Sequence, residues 1–198
     1  MLKYIKSRLG HFLSETRASI SIEAVIVLPM LAWAYVGMYL YFDAFRTQNT
    51  NLKAAYTLGD MLSRETDPIN PDYLNGLQTV FDYLTNTGRP TWIRVTVVTW
   101  DNVDEEFDVN WSQATAGQPS WTDGTIADIE DQIPAMSNGD TAIIVETNMD
   151  YVPITGLVDD VQTSTMDFRQ FALGIPAFTM HNLVITSPRF APQLLWES

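Results

Sequence analysis

The chain has 198 residues, room for one membrane helix and one globular domain of roughly 130 residues. It contains no cysteine, which excludes a disulfide framework, thiolate zinc sites and a cysteine nucleophile together. The net charge of −13 argues against nucleic acid as a partner, because phosphate binding needs clustered Lys and Arg.

Charge divides sharply along the chain. Residues 1–18 carry Lys3, Lys6, Arg8 and Arg17 against one acid, Glu15, whereas the remainder holds 7 basic and 23 acidic residues. Ala24 to Phe42 then form 19 consecutive positions without a formal charge. As a helix they would cover about 28 Å, close to the ~30 Å hydrocarbon core of a bilayer. The positive-inside rule leaves the basic flank in the cytoplasm and the acidic part outside. The apolar pattern continues past Asp43 through Leu52, Ala55, Tyr56, Gly59 and Leu62, so one helix is expected over residues 19–65. Pro29 removes a backbone donor and is expected to kink its membrane half. Thr66-Asp67-Pro68 ends it, since the residue before proline is pushed out of the α region.

A second helix is signalled by Asn70 as N-cap and Pro71 at the first helical position. Its apolar stripe is Tyr73, Leu74, Leu77, Val80, Phe81 and Leu84, with Gly88 and Pro90 as the closing signals. Thr91–Trp100 reads as a strand with Ile93, Val95 and Val97 on one face and Trp92, Arg94, Thr96, Val98 and Trp100 on the other. After a polar turn over residues 101–106, Phe107, Val109 and Trp111 alternate on a returning strand. Residues 112–124 read as loop, and 125–133 as a short helix before Pro134. Thr141–Tyr151 is a third strand with Ile143, Val145, Met149 and Tyr151 on one face. A weakly patterned stretch over 155–174 follows, and then a fourth strand over Phe178–Thr186. The expected fold class is α+β, a long helix and a second helix packed on one face of a small antiparallel sheet.

Signals for chemistry are sparse. The acids Asp101, Asp104, Glu105, Glu106 and Asp108 lack the spacing of a calcium loop and read as a solvated turn. The two histidines, His11 and His181, would lie on opposite sides of the membrane, so no two-histidine metal site is expected. There is no G-x-S-x-G elbow and no phosphate-binding G-x-x-x-x-G-K-[ST] loop. Outside the membrane Trp92, Trp100, Trp111, Trp121 and Trp196 read as packed aromatics before adhesive ones. No enzyme activity, cofactor or metal is expected.

Glu23 is the informative residue. A carboxylate in a membrane helix costs about 2.5–3.5 kcal/mol at its centre and less near the interface, so it is usually paired or functional. An acid snorkelling to the headgroups is the simpler alternative. Basic leader, small residue, glutamate five residues on and an apolar helix together resemble a type IV prepilin. The match narrows to the TadE-like proteins of tight-adherence pilus systems. Ser21-Ile-Glu-Ala-Val-Ile-Val-Leu-Pro29 resembles their Glu-to-Leu-Pro signature, and Ala54–Arg64 the second half of their long helix. Val145–Pro153 resembles their strand leading to a Tyr-x-Pro segment, and Ser187-Pro-Arg189 a near-terminal element.

The resemblance implies cleavage between Ala18 and Ser19 by a prepilin peptidase, although the family usually has glycine where this chain has Ala18. It also implies that Glu23 pairs with the freed amino group of a neighbouring subunit. Three segments follow: a removable basic leader over 1–18, a transmembrane helix over 19–43, and an exported domain over 44–198. The expected role is non-catalytic: a minor pilin or pseudopilin in the bacterial inner membrane, meeting other pilins and the assembly platform. Two alternatives stay open: an uncleaved signal-anchored binding or adhesion module, and a soluble domain released after Ala32-Trp-Ala34.

Overall fold

A computed structural model describes residues 16–86, 88–153 and 177–197. Most of the basic leader, and the 155–174 stretch, therefore lie outside the described residues. Helix α1 spans Thr16–Arg64 as one element and α2 spans Pro71–Thr85. Strands β1 (Thr91–Asp101) and β2 (Glu106–Ala114) form a hairpin. A short α3 (Asp123–Ile126) and a 3-10 helix (Ala127–Gln132) lead to β3 (Thr141–Tyr151), and β4 is Phe178–Thr186. The four strands form one antiparallel sheet in the order β2-β1-β3-β4. This is an α+β arrangement consistent with a pilin-like fold.

The second half of α1 presents Ala54, Ala55, Leu58 and Leu62 to the sheet at helical spacing, all essentially inaccessible to water. They meet Val95, Val97, Ile143, Val145 and Met149 in the main core, which also takes Leu74, Leu77 and Phe81 from α2. Fully burying each Leu or Phe contributes about 1.5–3 kcal/mol, so this face sets the seat of α1. Gly59 makes the close approach possible: a Cβ there would lie 3.3 Å from Val184 Cγ1.

Helix α2 begins as expected, with the Asn70 side chain accepting from the Tyr73 N–H at 2.9 Å and Pro71 at the first position. Its end differs from expectation. Asn86, rather than Gly88, is the left-handed cap (φ 47°), its N–H returning to the Asp82 carbonyl. Asparagine tolerates this region better than other side-chain-bearing residues, so the helix stops two positions early.

Strand β2 corrects the sequence reading twice. It runs to Ala114, three residues into the expected loop, because Gln113 and Ala114 pair with Val95 and Arg94. It also carries a bulge: Val97 pairs with Trp111 but Val98 with Val109, leaving Asn110 extra. An inserted residue flips the side-chain phase. Trp111 therefore packs in the helix-side core, while Val109 and Phe107 turn to the opposite face.

That opposite face is not open, as helices on one face alone would leave it. Ile126, Ile129 and Ile133 cover Val98, Phe107, Ala142 and Ile144 in a second core. The covering helix starts two residues earlier than expected, at Asp123, where Thr122 and Thr125 form a capping box. Beyond β4 the chain crosses back to the helix side, burying Leu194 and bridging Trp196 to Ile69.

Candidate assembly surface and the sheet clamp

Among the described residues, none of α1 from Ile22 to Tyr39 is buried. Ile22, Val25, Ile26, Leu28, Met30 and Leu31 are all more than half exposed. This is a helix long and apolar enough to cross a membrane. Glu23 is exposed at its start, and Ala18 and Ser19 lie in its first turn. Pro29 sits inside the helix, which runs unbroken through it. With no N–H at Pro29, the Val25 carbonyl lacks its intrahelical donor, a weakness that lipid alone cannot repair.

The helix enters the domain at Leu40, which is only 1% exposed although it belongs to the charge-free run. Three residues on, Asp43 accepts a 2.9 Å hydrogen bond from the Tyr151 hydroxyl at the end of β3. Burial, reinforced by the Asp43 carboxylate, pushes the Tyr151 phenol well above its ordinary range. The sheet is thereby pinned to α1 where the apolar run ends.

The most concentrated polar chemistry lies on the other sheet face. Arg94 of β1 and Glu146 of β3, register partners, form a two-point ion pair, Nε–Oε2 at 2.5 Å and Nη2–Oε1 at 2.7 Å. The indole N–H of Trp121 donates to the same Oε2 at 2.5 Å, and Arg94 Nη1 donates to the Pro119 carbonyl at 2.9 Å. The guanidinium carbon stands 4.2 Å from the Trp121 ring centroid, and His181 Nε2 is 3.3 Å from Glu146 Oε1. Burial alone would raise the Glu146 pKa. Hydrogen bonds from His181, Arg94 and Trp121, with the Arg94 charge, instead hold it down to about 2.

Such a carboxylate is a permanent anion at physiological pH and makes a poor general base or acid. Its evident work is to clamp the 119–121 segment, and the helical cover behind it, onto the sheet. The alternation of β1 puts Arg94 on this face, and its partner is set by the β1–β3 register. The signal for one was present: a lone Glu146 amid Ile143–Val145 and Thr147 would be costly to bury without a cation.

His181 is close to half exposed and leans on Glu146 and, at 6.1 Å, on the Trp92 ring. Trp92, Trp100, Trp111, Trp121 and Trp196 are all half-buried and packed, with Trp111 and Trp196 rings 5.3 Å apart. Of the acids around the first hairpin, Asp101 accepts from the Val103 N–H. Among the described residues no group of three or more His, Asp or Glu is placed to hold a metal. An open groove of about 860 Å³ runs between residues 134–141 and Ser187, Pro188, Ala191 and Pro192; among the described residues Asp140 is the ionisable group that lines it, and it is engaged by the Ser137 N–H.

Comparison with protein-family models, curated proteins and solved structures finds no match to this chain. The structure by itself establishes an α+β head carried on a helix whose first half is a bare apolar rod.

Proposed function

We propose that this protein is a pilus assembly subunit, a minor pilin or pseudopilin of a tight-adherence (Flp, type IVb) system, with a structural rather than catalytic role. The carrying observation is the division of α1: a charge-free, uncovered apolar half with Glu23 at its start, and a second half sealed in an α+β head. A rod of this kind is stable only in lipid or against other apolar helices. In this reading the precursor sits in the bacterial inner membrane with its basic end in the cytoplasm. A prepilin peptidase cuts between Ala18 and Ser19. Glu23 then meets the freed amino group of a neighbouring subunit, two charges costly apart in lipid and cheaper together. The head meets other pilins and the assembly platform, and contributes to surface adhesion.

One observation favours a second reading, an uncleaved signal anchor carrying a binding or adhesion head. Helix α1 already starts at Thr16, so the Ala18–Ser19 bond lies within regular helix, and Ala18 stands where the resembling family usually has glycine. Mass spectrometry of the N-terminus from the native host separates the two. Ser19 as first residue is expected for the pilin, and Met1 would overturn it. Glu23→Gln should abolish pilus assembly while leaving membrane insertion intact, and normal piliation in that variant would refute the role given to Glu23.

A further inference from the structure

We propose that the end of the sheet formed by Tyr151 and Phe178 is seated in the headgroup layer of the membrane that α1 crosses, so that the head stands directly on the bilayer. The inference rests on the reading of α1 as a spanning helix and adds the position of the head to it.

Three observations carry it. First, Leu40 is buried in the domain core at 1% exposure, while Tyr39, Tyr41 and Phe42 on the same turn are 50%, 52% and 63% exposed. A turn that is half protein core and half exposed aromatic surface fits the boundary between hydrocarbon and water. There tyrosine keeps its ring in the apolar layer and its hydroxyl among headgroups. Second, the helical distance from Glu23 to Asp43 is about 30 Å, one hydrocarbon thickness, so the two carboxylates fall at opposite faces of the bilayer. Third, the Tyr151–Asp43 hydrogen bond of 2.9 Å fixes the end of β3 at the depth of Asp43. Phe178, the register partner of Tyr151, stacks on it at 5.3 Å; Tyr151 is itself buried at 4% exposure, so Phe178, 37% exposed, is the ring of this pair that offers surface to the headgroups.

The occupant of this rim is the zwitterionic headgroup layer. The aromatic surface is continuous with the apolar rod, and a chain this acidic would be repelled by an anionic one. The far end of β3, at Thr141, lies about 33 Å along the strand from Tyr151, ten residue steps away.

The absence of cysteine makes the test clean, because every introduced cysteine is the unique label site. The full chain is reconstituted in phosphatidylcholine vesicles with a nitroxide on Leu28→Cys, Phe178→Cys, Thr179→Cys or Ser137→Cys. Each label's accessibility to oxygen and to a water-soluble nickel chelate is then measured. The label at 28 should be reached by oxygen and shielded from nickel, and the label at 137 fully open to nickel. Labels at 178 and 179 should lie between, with nickel accessibility at least about threefold below that at 137, as expected at an interface. If 28 reads as lipid but both 178 and 179 match 137, the head stands off the membrane and the proposal fails alone. If 28 itself is open to nickel, the spanning reading fails and takes the proposal with it. Using two neighbouring label sites guards against one of them disturbing the Tyr151–Phe178 stack.

Discussion

Replacing Glu146 by Gln tests whether the sheet clamp is an electrostatic device or merely a packed polar pair. Glu146 is 1% exposed and Arg94 8% exposed, so the variant leaves a guanidinium in the interior without its counter-ion. Breaking a buried pair from one side costs about 3–5 kcal/mol. The pH dependence is the sharper reading. The folded state holds the Glu146 carboxyl at about 2 against an ordinary value of 4.5. The unfolded chain therefore takes up this proton first as pH falls. Stability from the ion pair is complete above the unfolded value and is lost as pH drops through the folded one. A difference of that size is worth about 3 kcal/mol at neutral pH, falling to roughly half near pH 3 and almost nothing at pH 2. The assay is urea unfolding of the full chain in detergent micelles, followed by tryptophan fluorescence, for wild type and Glu146→Gln at pH 7, 4, 3 and 2. All other carboxylates are common to both proteins, so the difference isolates Glu146. A stability gap that stays constant from pH 7 to pH 2 would refute the electrostatic account.

Three further substitutions probe the seat of α1 and the start of α2. Asn51 is fully buried on the sheet-facing side of α1, and its amide oxygen and nitrogen have no hydrogen-bond partner among the described residues. Asn51→Leu, which keeps the branching but replaces the amide by bulkier methyls, should raise stability by about 1–3 kcal/mol in thermal unfolding, and a loss would mean that the amide is satisfied by ordered water or that the site has no room for the added volume. Asn70→Ala removes the cap on the Tyr73 N–H and should cost about 1 kcal/mol, a fall of about 2–4 °C in Tm by calorimetry. Tyr151→Phe removes the tie to Asp43 and should cost about 1 kcal/mol at neutral pH. Because the folded phenol is held above its ordinary 10.0, wild type loses that advantage as pH rises past 10, and the gap to Phe should narrow there.

Local pattern carried far in this chain because its elements are long and their signals agree. The alternation in β1 and β3 puts Ile93, Val95, Val97, Ile143, Val145, Met149 and Tyr151 in the main core as expected, and Asn70-Pro71 starts α2. On the helices the period holds but its phase is only partly right: Ala55 and Leu62 are buried, whereas Leu52, Tyr56 and Leu84 face outward and Ala54 and Leu58 take the buried places. What stayed hidden depends on partners distant in sequence. The bulge at Asn110 exists only against Val97 and Val98, so the alternation of Phe107, Val109 and Trp111 read as one face when the structure splits it over two. The second core is built from Ile126, Ile129 and Ile133 in a stretch too short for a periodic signal to declare a face. Arg94 and Glu146 are 52 residues apart, and only the β1–β3 register makes them neighbours. For Glu23 and Pro29 the structure supplies position and exposure, while the roles read from the resemblance depend on a neighbour outside this chain.

The interior polar groups and the bare rod point to one division of labour. Glu146 is spent on Arg94, Trp121 and His181, and Asp43 on Tyr151, so each holds two parts of the fold together. The rod poses the opposite problem. Each large apolar side chain left in water forgoes about 1.5–3 kcal/mol of burial, and more than six of them line this helix from Ile22 onward. Exposed in the folded and unfolded chain alike, these side chains do not weaken the head, but together they drive the rod toward any apolar surround by an amount comparable to the 5–15 kcal/mol net stability of a typical domain. Lipid supplies that surround for an anchor and for a pilus subunit alike, and hydrophobicity therefore does not separate the two. Glu23 does. An anchor tolerates an acid one residue outside its apolar run, snorkelled to the headgroups, without depending on it; in the proposed role a subunit that must stop at a fixed register against identical rods gains a single charged contact that only one alignment satisfies. The loss of assembly without loss of insertion in Glu23→Gln is on this ground the decisive phenotype.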